Sequence, residues 1–452
     1  MLQRLTLRNA LGLNTVPRLA AVGAGGKTTF LLLLAREYAQ GVVLTTSTHL
    51  AVEQAAMADR HLIIHSQKEI KAIFQSGIHD LTLITGDETG DGRLAGLPLE
   101  WLERIADFAD QANLPLLIEA DGSRRLPIKA PAEFEPAIPR WVNEVVVCAG
   151  LSGIGAPIDS GHVHRPEIVA GLTRQEPGSA VTSRTITTIL SDPAGGLKNI
   201  PPNARKIALL NQADDEFRAS AGGHIAYDLV DTYDTILITS LQDPSAPVKA
   251  VYAPTAAIIL AAGKSNRFEG GQKVLLDWFG EPFVRQIART SLEAHLSPVI
   301  VIAGKEYDNV KQALAGLPVS VLENNEWETG QSSSIQTGMN HLPDRVRSVI
   351  FLLAEQPQVS PTMLSALVER HRQTVSPIVA PLVEDRRANP VLFDRVTFDH
   401  LMALQGDTGG RAIFSKYQVD YLPWLDRVML FDVDTQADYA RLLVAYGARY
   451  DQ

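Results

Sequence analysis

Short, nearly unbroken apolar runs recur along the chain, each followed by a small-residue or polar turn. Runs of this length bounded by turns predict strands buried on both faces, with helices supplying the cover between them. In the first half they lie at residues 18–22, 42–44, 116–118, 145–149 and 207–210. In the second half they lie at residues 256–259, 298–303, 319–322 and 349–353. Residues 282–295 read as a helix with Phe283, Ile287 and Leu292 on its apolar side, and residues 30–35 as helix-like. Alternating strands and helices predict an α/β protein. Each series opens on a glycine-bearing loop, so two domains are expected, at residues 1–253 and 254–452. Proline and small polar residues at 242–247 and 253–255 mark the connector, and residues 191–202 read as a loop inside the first domain.

Composition and charge narrow the class. At 452 residues the chain exceeds one typical core. Hydrophobic content of 45% and charged content of 20% describe a soluble globular protein. A net charge of −10 argues against a general binder of nucleic acid or anionic membranes. No apolar run approaches the roughly 20 residues needed to cross a bilayer, and the start lacks a secretory signal. The single cysteine, Cys148, excludes a disulfide framework and fits a reducing cytoplasm. Its apolar neighbours predict a buried thiol.

The second half opens with Leu260-Ala261-Ala262-Gly263-Lys264-Ser265-Asn266-Arg267, with Lys273 close behind. A small-residue loop leaving a buried strand lets backbone N–H groups approach a polyphosphate. Arg267 and Lys273 add fixed and mobile positive charge. Ser332, Ser333 and Ser334 precede a helix-like segment, where they either cap it or help hold an anion or base edge. Glu355 ends the strand-like run at 349–353, facing the crevice where open α/β sheets bind ligands. Asp434 offers a second carboxylate for Mg²⁺, or a helix cap. Asp407 and Arg411 sit in a Gly-rich turn that either contacts substrate or enters a helix.

In the first half, Gly23-Ala24-Gly25-Gly26-Lys27-Thr28 joins a strand to a helix and ends like a phosphate-binding loop, although Ala21 stands where the full pattern has its first glycine. Lys27 would reach nucleotide phosphates and Thr28 a Mg²⁺ ion. The strand-like run at 116–118 ends in Glu119 and Asp121, and Asp121 is expected on the metal side. Asn211-Gln212-Ala213-Asp214 reads either as an echo of a guanine-reading loop or as a plain strand-to-helix turn. His162 and His164 flank Val163 without an evident third ligand.

The blocks of the second half, including Gly330, residues 355–357, 389–393, 406–411 and 432–435, together resemble the molybdenum cofactor cytidylyltransferases of the molybdopterin nucleotidyltransferase type. That resemblance implies a Rossmann-like nucleotidyltransferase domain. Ala262, where a glycine would accompany GTP, implies CTP. The implied reaction is attack by the terminal phosphate of molybdopterin on the α-phosphorus of CTP. Arg267 and Lys273 would grip the triphosphate, Glu355 and Asp434 would hold Mg²⁺, and Leu260, Ala261, Ala262, Gly263 and Ser332 to Ser334 would surround the nucleotide. Asp407 and Arg411 would lie on the substrate side. Glu355 and Asn389 depart from the family's aspartate and histidine. The loop at residues 23–29, read above as a P-loop-like site for ATP or GTP, together with residues 45–48, 119–124, 129–131, 153–155 and Arg165, resembles the YqeC-type accessory family of selenium-dependent molybdenum hydroxylases, which implies handling of the molybdenum cofactor with a hydroxylase apoenzyme as partner. Alternatives are a transferase acting on a sugar phosphate and a non-catalytic cofactor carrier.

Overall fold

The runs expected to be strands are strands in the computed structural model, which describes residues 6–13, 16–90, 92–243, 245–263 and 273–447. The chain divides into two units, Met1–Tyr252 and Ala253–Gln452. Both are α/β, as the alternation of apolar runs and amphipathic stretches predicts.

The first unit is built on a nine-stranded sheet. From edge to edge its order is Val248–Tyr252, Thr235–Thr239, Arg205–Asn211, Glu144–Gly150, Arg18–Gly23, Leu116–Glu119, Val42–Thr46, Leu81–Thr85 and Arg60–Ile63. Every pairing is parallel except that of the Val248–Tyr252 edge strand. The central Arg18–Gly23 strand is bracketed by Leu116–Glu119 and Glu144–Gly150, which places its loop at the middle of the sheet's carboxyl edge. Helix Lys27–Ala35 follows, with Phe30, Leu31 and Leu34 completely buried. Burying such a side chain contributes roughly 1.5–3 kcal/mol, so the helix is anchored by packing rather than by a side-chain cap, which it lacks. Cys148 is buried as expected, and burial pushes its thiol pKa far up.

In the second unit the strands Ser320–Glu323, Val299–Ala303, Thr255–Ala261 and Ser348–Leu353 run parallel in that order. Val391–Asp394 then joins antiparallel, followed by Ile378–Val383. The Thr255–Ala261 strand is covered on both faces. Ala257, Ile259 and Ala261 pack with Val284 and Ile287 of helix Phe283–Glu293, whereas Ala256 and Ile258 pack with Ile335 and Met339 of helix Gln331–Met339. This double cover explains why the strand reads as a continuous apolar run. Among the described residues no helix is long and apolar enough to cross a membrane.

Candidate functional site

In the second unit the candidate site residues Ala262, Gly263, Lys273, Glu355 and Asp434 meet at the carboxyl edge of the parallel strands. Leu260 pairs in register with Leu353, so the loop starting at Ala262 and Gly263 emerges beside the turn that carries Glu355. A cleft of about 740 Å³ opens there, lined among others by Ala262, Gly263, Lys273, Ser334, Glu355 and Asp434. Lys273 is almost fully buried, and its Nζ lies 2.8 Å from Asp434 Oδ1 and 3.5 Å from Glu355 Oε2. Burial opposes the lysine's charge, but the Asp434 hydrogen bond and the Glu355 charge outweigh it, so its pKa stands above the ordinary value. Burial raises the Glu355 pKa, with Lys273 pulling the other way. The two carboxylates therefore converge on one cationic point.

That donor set fits Mg²⁺, which takes one or two carboxylates and completes its shell with phosphate oxygens and water. Among the described residues no group of three or more His, Cys, Asp or Glu could hold a metal ion by itself. Arg267 and the rest of residues 264–272 lie outside the described residues.

The three serines are buried within the first turn of helix Gln331–Met339 and do not cap it. Gly330 is the N-cap residue, at φ 124°, and a Cβ there would stand 2.4 Å from the Gly406 carbonyl carbon. Only glycine accepts both constraints. Ser332 Oγ donates to the Gly406 carbonyl (2.7 Å), and Asn324 Nδ2 donates to Ser333 and Ser334 Oγ (2.9 and 3.0 Å). Asn324, whose role the sequence did not reveal, is thus the buried pin of this wall. Asp407 lines the cleft and its Oδ1 accepts from the Gln331 backbone N–H at 3.3 Å, so it serves the helix entry. Arg411 is exposed in the short helix Gly410–Lys416 and is not among the lining residues. Neither Asp432 nor Asp434 caps helix Gln436–Gly447. Thr435 Oγ1 accepts from the Asp438 N–H there, while Asp432 accepts from Gln356 Nε2.

The first unit has its own charged centre, described by itself. Lys27 is 3% exposed, and its Nζ donates to the Gly23 carbonyl at 2.7 Å. The same ammonium lies 3.3 Å from Asp121 Oδ1 and 3.9 Å from Glu119 Oε1. Burial works against its charge, yet Asp121 and Glu119 leave the pKa raised. Thr28 Oγ1 donates to Glu119 Oε2 at 2.6 Å. The carboxylate beside Thr28 is therefore Glu119, whose pKa burial raises. Asp121, the expected metal-side residue, accepts from the Gly23 N–H (3.0 Å) and pairs with Lys129 (2.8 Å), both through Oδ2. Lys129 continues to Glu135 at 2.8 Å, and Arg165 grips Glu135 through both Nη atoms at 2.7 Å. Burial, then the charges of Arg165, Lys129 and Arg124, push the neighbouring His164 down to about 4. His162 Nδ1 lies 2.8 Å from Asp159. The sequence contained Lys129 and Glu135 but no spacing that joins them to Asp121.

Residues 19–167 match the family model described as YqeC protein, and residues 257–421 match that described as MobA-like NTP transferase domain. The second unit is accordingly a nucleotidyltransferase domain. The chain is 28% identical over 204 residues to Uncharacterized protein YqeC of Escherichia coli (strain K12), covering 43% of this chain and 75% of that protein. Nicotine blue oxidoreductase of Paenarthrobacter nicotinovorans is 27% identical over 195 residues, covering 41% of this chain and 95% of that protein. Purine catabolism protein PucB of Bacillus subtilis (strain 168) is 28% identical over 196 residues, covering 40% and 92%. Among solved structures, Rv0371c of Mycobacterium tuberculosis H37Rv is 26% identical with a TM-score of 0.39, covering 42% of this chain and 98% of that one.

Proposed function

We propose that the second unit transfers CMP from CTP to the terminal phosphate of molybdopterin, in the maturation of a cofactor for a molybdenum hydroxylase. The observation that carries this reading is the convergence of Lys273, Glu355 and Asp434 beside the small-residue loop at Ala262 and Gly263. An oxygen of the molybdopterin phosphate attacks the α-phosphorus of CTP, a new P–O bond forms, and the bond to the β-phosphate oxygen breaks to release pyrophosphate. Such transfer depends on in-line positioning and on neutralising charge that spreads over phosphate oxygens. Lys273 supplies a buried ammonium to those oxygens, Glu355 and Asp434 would hold Mg²⁺, and the wall from Gly330 to Ser334 orients the nucleotide. Bound Mg²⁺ would add positive charge to the same oxygens.

In the first unit we assign residues 23–28 to the phosphates of ATP or GTP, with Lys27 on the phosphates and Thr28 and Glu119 toward a metal. Nucleotide-dependent handling of the same cofactor is the role this supports, with a hydroxylase apoenzyme as its recipient.

Incubation of the protein with molybdopterin and each nucleoside triphosphate tests the main reading. Pyrophosphate release with CTP, lost in Glu355→Gln, is the expected result. Release only when a sugar phosphate replaces molybdopterin would overturn the assigned acceptor, and retention of cofactor without release would overturn transfer.

A further inference from the structure

We propose that the first unit selects a guanine base, and that Asp214 is the residue that tells guanine from adenine. The inference rests on the assignment of residues 23–28 to phosphates. Asn211, 5% exposed at the end of strand Arg205–Asn211, ties three segments together. Its Nδ2 donates to the Gly25 carbonyl at 2.7 Å, and its Oδ1 accepts from Thr239 Oγ1 at 3.2 Å and from the Leu241 N–H at 3.1 Å. A Cβ on Gly26, which has φ 125°, would stand 2.4 Å from that same Nδ2. The loop after Arg205–Asn211 and the loop after Thr235–Thr239 are therefore held against the phosphate loop. All three strands are parallel, so the three loops share one edge of the sheet. Two strand spacings separate Arg18–Gly23 from Arg205–Asn211, about 10 Å, which leaves room for a ribose between phosphates and base.

The next residue, Gln212, is held at φ 68°, a left-handed conformation that costs a non-glycine residue free energy and that concentrates at functional sites. Its Oε1 accepts from Ser152 Oγ at 2.6 Å. Two residues on, Asp214 Oδ1 accepts from Ser240 Oγ at 2.5 Å. Asp214 Oδ2 makes only a 3.7 Å ion pair with Arg218 Nη1, too long for a hydrogen bond, and the side chain is 36% exposed. One oxygen is thus fixed by a hydrogen bond, and the other is held only by a long, half-exposed ion pair that a base donor can enter. Guanine presents two parallel N–H donors, at N1 and at the 2-amino group, which match the two acceptors of a carboxylate. Adenine sets a lone pair at N1 and no donor at C2 against the same carboxylate. A site built to bond a group rejects the analogue that lacks it, by up to about 10⁴-fold when buried, and less at this exposure.

The test measures binding of GDP, ADP and xanthosine diphosphate, with Mg²⁺, to the full-length protein and to its Asp214→Asn and Lys27→Ala variants. We expect GDP to bind at least about 100-fold more tightly than ADP. In Asp214→Asn, GDP should lose that advantage and xanthosine diphosphate should gain affinity, because the carboxamide N–H meets the 2-carbonyl of xanthine. That gain also shows that the variant folds. Equal GDP and ADP affinities, both lost in Lys27→Ala, would overturn the base assignment and leave the phosphate assignment standing. Absence of any nucleotide binding that depends on Lys27 would overturn both.

Discussion

Replacing Glu135 by glutamine tests the ionic chain beside the glycine-rich loop at residues 23–28 of the first unit. Its carboxylate takes both Nη atoms of Arg165 at 2.7 Å and the Lys129 ammonium at 2.8 Å, with a side chain only 17% exposed. Burial alone would raise its pKa, but the Arg165 and Lys129 hydrogen bonds bring it down to about 2 from an ordinary 4.5. A carboxylate whose pKa falls on folding stabilises the native state above its unfolded pKa. That contribution is lost as the pH drops from about 4.5 towards about 2. The gap between those values, at about 1.4 kcal/mol per pH unit, is worth about 3 kcal/mol at neutral pH. Glutamine keeps an acceptor oxygen and the shape but removes the charge, so Glu135→Gln should lose about 3 kcal/mol at about pH 7 and converge with wild type near about pH 2. Hydrogen exchange followed peptide by peptide reads the first unit separately from the second. A deficit that is the same across that pH range, or below about 1 kcal/mol at neutrality, would refute the charge argument.

In the second unit, Lys273→Met should lower kcat/KM for pyrophosphate release by about 10²–10³, the effect of removing one donor from developing charge. The same change removes the ammonium that Glu355 and Asp434 share, so Mn²⁺ should bind the nucleotide-free protein more tightly by calorimetry; turnover within about twofold of wild type would remove Lys273 from the chemistry. Gly330→Ala places a Cβ 2.4 Å from the Gly406 carbonyl carbon at a φ of 124°, and about 1–3 kcal/mol of stability should be lost. An unchanged Tm would contradict that packing.

The central strands of both sheets were legible because burial on two faces writes an unbroken apolar run, as at Thr255–Ala261 and Ser348–Leu353, whereas Arg60–Ile63, Leu81–Thr85, Thr235–Thr239 and Val248–Tyr252 were not read from the sequence. One long helix was equally plain, Phe283–Glu293 falling inside the expected stretch, while Leu99–Gln111, Glu216–Leu229 and Pro361–Thr374 were not bounded from the sequence. The antiparallel pair Ile378–Val383 and Val391–Asp394 was not anticipated, since a proline and charged residues interrupt the first and its neighbourhood. Lys273 and Asp434 were each singled out, yet their mutual contact spans 161 positions and no spacing rule encodes it. Three adjacent serines suggested a cap. The distant loop at Gly406 decides otherwise, because it demands glycine at the cap and offers its carbonyl to Ser332. Glu119 and Asp121 were visible as acids at a strand end, but which of them meets Thr28 depends on Lys129 and Glu135, brought in from a separate loop.

Each of the two units holds a buried lysine clasped by carboxylates. A polyphosphate arriving at either, as proposed, would compete for that lysine, and whatever it draws away would uncover acidic oxygens. The uncovered oxygens then attract a cation. Occupancy by the anion and by the cation must therefore be reciprocal, each tightening the other by the same factor. Neither ion need be abundant alone for the pair to settle together, and a shortage of one is felt as weak affinity for the other.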